Sequence, residues 1–121
     1  MTLAAILLGL TVLFGISLLV MPQRVRRRGR VWLPKAAHGI FGIIGFLVLL
    51  RTLGEPPSGV NSGVANFGVF AAWLIGAALL LGCFAVAVRW RRRPLSSVVI
   101  GIHATLAVAG LVMLGAYLGA G

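Results

Sequence analysis

Arg24-Val25-Arg26-Arg27-Arg28 returns 65 residues later as Arg89-Trp90-Arg91-Arg92-Arg93. The same shift carries His38 onto His103, Gly45 onto Gly110, Leu49 onto Leu114, Leu53 onto Leu118 and Gly54 onto Gly119. These two basic runs interrupt an otherwise apolar chain. The 121 residues are 60% hydrophobic with one acidic residue, Glu55, and the mean hydropathy is +1.10. Four apolar stretches lie around the basic runs: Thr2–Met21, Leu33–Leu53, Ala65–Val88 and Leu95–Leu118. Each is long enough to cross a hydrocarbon core of roughly 30 Å at about 1.5 Å per residue. Unpaired backbone is costly in lipid and four short spans cannot close a barrel, so the spans are expected to be helices.

The expected architecture is all-α: an integral membrane four-helix bundle of two parallel helical-hairpin repeats, residues 1–65 and 66–121, in one domain. Glu55-Pro56-Pro57-Ser58-Gly59 breaks the chain between them. Pro34 and Pro94 suit the first turns of helices two and four, where no N–H partner is lost.

Charge sets the expected topology. Arg24, Arg26, Arg27, Arg28, Arg30 and Lys35 flank one turn, and Arg89, Arg91, Arg92 and Arg93 flank another. Arg51 is the remaining basic residue. The positive-inside rule places both clusters in the cytoplasm and both termini on the opposite side, the periplasm of a bacterial inner membrane. The net charge of +10 then reflects topology and anionic lipid rather than nucleic acid. The first span lacks a basic segment before it and a small-residue cleavage site after it, so it reads as a retained helix. Trp32 and Trp90 beside the clusters, and Tyr117 at the far end, read as interfacial anchors. Cys83 lies within the third span and reads as buried packing.

His38 and His103 are the only histidines, at similar depth in helices two and four. Small residues follow each at one, four and seven positions: Gly39, Gly42 and Gly45 after His38; Ala104, Ala107 and Gly110 after His103. Positions four and seven onward lie within about 40° of the histidine's own face. Such a strip either lets helices approach closely or clears volume for a flat ligand standing between them. The second reading expects one haem b, with His38 and His103 as axial ligands and Gly42, Gly45, Ala107 and Gly110 beside the ring. Arg30 and Lys35, with Arg91 and Arg93, would meet the propionates. Two imidazoles without a carboxylate or thiol make a thin site for a bare metal ion; Met21, Met113 and Cys83 are not placed to complete one. A bacteriochlorophyll-type magnesium is another ligand of this kind, and histidines serving only as interhelical hydrogen-bond partners are the plain alternative.

Lys35-Ala36-Ala37-His38-Gly39 through Gly45, with His103 through Gly110, resembles the histidine-bearing helices of membrane-integral b-type cytochromes, including the cytochrome b561-like bundles. The resemblance is one of arrangement and covers helices two and four. It implies haem clamped between facing helices. Those bundles carry about twice as many histidines, so one haem is implied here. An electron path across the membrane would then need a homodimer or a larger redox complex, with quinone as a candidate partner.

Two other classes lose ground. A proton-coupled antiporter needs a carboxylate within the membrane, and Glu55 lies in a loop. A Ser/His/Asp catalytic set needs an aspartate, and the chain has none. An electron-transfer protein or subunit is therefore expected over a stand-alone enzyme. The alternative is a cofactor-free accessory subunit of a respiratory or photosynthetic complex.

Overall fold

The computed structural model describes residues 1–21, 32–54, 62–91 and 93–120. Among the described residues are four helices: α1 (Thr2–Val20), α2 (Trp32–Leu53), α3 (Ser62–Trp90) and α4 (Ser97–Ala120). All four are long and apolar enough to cross a membrane. Arg24, Arg26, Arg27, Arg28, Arg30, Glu55 and Arg92 fall outside the described residues.

The ends follow from local chemistry. Past Val20 the chain turns extended at Met21, whose N–H still bonds the Ser17 carbonyl, and Pro22 has no N–H to continue the ladder. Pro34 sits in the first turn of α2, where that loss is harmless. The expectation for Pro94 is corrected: it stands three residues before α4, not within it. Ser96 is the reason. Its hydroxyl accepts the Val98 N–H at 3.2 Å, the cap that frees a helix from needing a proline start.

α1 packs closely on α2, and α3 on α4. Thinner seams join α2 to α3 and α1 to α4, while the pairs α1/α3 and α2/α4 lie diagonally across the bundle without backbone approach. The hairpins close over glycine. A Cβ on Gly45 would lie 3.0 Å from Leu8 Cγ, and one on Gly110 would lie 2.6 Å from Ile75 Cγ1 and 3.3 Å from the Ala71 carbonyl. Ala4, Leu8 and Leu49 on one hairpin, and Ala71, Ile75 and Leu114 on the other, form one core. The α2 and α4 members of these contacts are 65 residues apart. The α1 and α3 members are 67 apart (71 − 4, 75 − 8). The connection in the second hairpin is shorter by that difference of two.

This dense core occupies the end of the bundle where α1 and α3 begin. Elsewhere the outer surface is strongly apolar: Leu13, Leu47, Trp73 and Leu80 are exposed. No buried polar or charged residue appears among the described residues. Such a surface suits hydrocarbon, where apolar side chains need no partner, and is far larger than water-facing patches normally are. Trp32 and Trp90 are exposed at the end bearing Arg89. Two expectations are corrected. Tyr117 is buried, with its ring against Gly68, because that glycine leaves room for it. Cys83 is exposed rather than buried in packing, while its neighbour Gly82 meets His103.

Because its backbone neighbours cannot move aside, Gly110→Ala should destabilise the bundle by about 1–3 kcal/mol. Gly45→Ala should cost less, since its contacts are all side-chain atoms of Leu7 and Leu8. Thermal unfolding of the two variants in one detergent, followed by circular dichroism, checks the order. Equal midpoints would overturn it.

Candidate functional site

Both histidines are the seventh residue of their helix: α2 begins at Trp32 and α4 at Ser97. At about 1.5 Å per residue, each lies about 9 Å from its helix start. α2 and α4 are diagonal and parallel, so the two imidazoles meet across the bundle interior. Their ring centres are 5.9 Å apart and the rings are inclined at 71°.

Each ring is tethered to the partner helix of its own hairpin. His38 Nδ1 lies 2.7 Å from the Thr11 carbonyl oxygen on α1. His103 Nδ1 lies 2.7 Å from the Ala78 carbonyl oxygen on α3. A carbonyl can only accept, so Nδ1 carries the proton in both rings and donates it. In the neutral ring Nε2 then keeps its lone pair, the form that ligates metals. Neither Nε2 forms a hydrogen bond among the described residues.

The rings border a cavity of about 370 Å³ walled by all four helices. Lys35, His38 and Gly42 line it from α2, and His103 and Ala107 from α4. The walls are otherwise almost wholly apolar. Lys35 is exposed at the edge nearer the start of α2.

The small-residue strips divide. Gly42 and Ala107, one turn from each histidine, line the cavity, and a Cβ on Gly42 would also meet Thr11 Cγ2 at 3.3 Å. Gly45 and Gly110 lie about 10 Å further along than the histidines, where each hairpin has closed, and they sit beneath Leu8 and Ile75. Arg30 lies outside the described residues. Cys83 reaches the cavity wall, but no group of three or more His, Cys, Asp or Glu residues forms a metal site among the described residues. Thr11 and Ala78 escaped the sequence reading. They act through backbone carbonyls, which every residue has, so side-chain chemistry carries no mark of them.

In chemical terms the site offers two imidazoles, held beside an apolar cavity by hydrogen bonds through Nδ1, with a cation at its edge. Comparison with family models, with curated proteins and with solved structures found no match, so no relative supports the resemblance to cytochrome b561-like bundles.

Proposed function

We propose that the chain is an integral membrane electron-transfer protein or subunit holding one haem b between His38 and His103. In this reading it comprises two parallel hairpin repeats in a bacterial inner membrane. The arginine clusters face the cytoplasm and both termini face the periplasm, as the positive-inside rule requires. The recurrence of equivalent packing contacts in the two hairpins supports the duplicated design.

One observation carries the proposal: two imidazoles, each tied through Nδ1 to a backbone carbonyl, border one apolar cavity with ring centres 5.9 Å apart. Imidazole is an ordinary ligand of haem iron, so His38 and His103 are the residues that would hold it.

The surroundings suit a flat apolar group. The cavity volume falls within the usual range for ligand pockets, about 300–1,000 Å³. Gly42 and Ala107 add almost no side chain beside the two rings. Lys35 at the edge supplies a charge for a propionate, and Arg30 is a second candidate from sequence. Haem would supply a one-electron centre. His38 and His103 would hold it, the apolar walls would exclude water, and the Nδ1–H···O=C bonds would tune it. With a single haem, electrons would pass to or from quinone, a second copy of the chain, or a larger redox complex.

A second reading has its own support. Each histidine already bridges two helices without any ligand, the ordinary use of a polar side chain inside a bilayer. On that alternative the chain is a cofactor-free accessory subunit of a larger membrane complex.

The two readings separate by colour. A reduced-minus-oxidised visible spectrum of protein expressed with ample haem should show a sharp low-spin b-type band, lost or turned high-spin in both His38→Ala and His103→Ala. A colourless wild type would leave the accessory reading standing. Ala107→Leu should lower haem occupancy by about tenfold or more while leaving helical content intact, since overpacking of about 1–3 kcal/mol falls on the ligand cavity. Haem-to-protein ratio by pyridine haemochrome checks this, and unchanged occupancy would show that the ring does not lie beside Ala107.

A further inference from the structure

Gly15 on α1 and Gly82 on α3 stand in the same relation to the two histidines. A Cβ built on Gly15 would lie 3.0 Å from His38 Cε1 and 3.3 Å from its Nδ1. One built on Gly82 would lie 3.2 Å from His103 Cε1 and 3.6 Å from its Nδ1. The acceptors are Thr11 and Ala78, each four residues earlier (15 − 11 and 82 − 78).

That spacing has a physical meaning. In an α-helix the N–H of residue i+4 bonds the carbonyl of residue i. Each carbonyl here therefore already accepts one helical bond, from the glycine above it. The side chain at i+4 normally shields the second lone pair from the flank. With glycine there, the flank is open and an imidazole from the neighbouring helix can reach the oxygen. Small residues in membrane helices let a neighbour approach closely, and at these two positions the neighbour is an imidazole.

We infer that Gly15 and Gly82 are positioning residues that uncover the Thr11 and Ala78 carbonyls, so that both imidazoles are locked with Nδ1–H donated to those carbonyls. The inference deepens the haem reading, and rests on it only for what the imidazoles hold. The locking itself needs no ligand. A Cβ on Gly9, also on α1, would meet nothing within 4 Å, so that glycine takes no part.

The test is a ¹H–¹⁵N imidazole correlation spectrum of the full chain in detergent, labelled at histidine and kept under dithionite so that any haem iron is low-spin and diamagnetic. With two histidines in the chain, assignment follows from single substitutions. The wild type should give two slowly exchanging Nδ1–H signals. Gly15→Val should abolish the His38 signal and spare that of His103. Gly82→Val should do the reverse, and Gly9→Ala should change neither. The surviving signal reports that the fold persists. If Gly15→Val loses both signals, Gly15→Ala decides: it should shift the His38 signal alone. A wild type lacking either Nδ1–H signal, or Gly15 variants that leave His38 unmoved, would overturn the inference. Colour is read from the same sample, so loss of the haem reading and loss of this one are separate results.

Discussion

Two imidazole-to-carbonyl hydrogen bonds govern how this bundle is arranged. His38 to Thr11 and His103 to Ala78, each at 2.7 Å, join the two helices of each hairpin at one depth. They place a proton on Nδ1 of each ring, because a carbonyl offers none, and they tie each ring to the partner helix of its own hairpin. Without them each imidazole could turn freely about its side-chain torsions, and the ring separation of 5.9 Å would have no defined value.

The rest of the bundle supports that arrangement by being unequal along its length. At one end, Gly45 and Gly110 let Leu8 and Ile75 approach to contact distance, and Ala4, Ala71, Leu49 and Leu114 are fully buried. At the other, the diagonal helices α2 and α4 stay apart and leave the cavity. In the proposed bilayer setting, apolar helices gain little from burying hydrocarbon, so close packing would carry the cohesion of the bundle. Concentrating that packing at one end frees the other to stay open around the histidines. This division supports the proposal of a bound flat ligand better than a uniformly packed bundle would.

Much of this was legible in the sequence. Apolar length fixed the number of helices, and the described boundaries lie within about three residues of those expected, as helix ends usually do. The 65-residue shift placed the two histidines correctly relative to their helices, each seventh from its start. The shift hid something as well. α1 and α3 correspond at 67 residues, so Thr11, Gly15, Ala78 and Gly82 fell out of register and were missed. The recurrence of Gly9 and Gly15 as Gly76 and Gly82 at that second shift was the signal that could have found them.

By itself the sequence determined the helices, their apolar character, the clustering of arginine at the turns, and two histidines at one depth. All of these follow from local composition and from a 3.6-residue period. Only the tertiary structure decided which carbonyls receive the imidazoles, how far apart the rings stand, and which small residues line the cavity. Periodicity assigns Gly42 and Gly45 to nearly one face, but the depth at which two helices meet or part is set by the packing of Leu8 and Ile75. Backbone acceptors are alike at every position, so only the approach of a second helix singles two of them out.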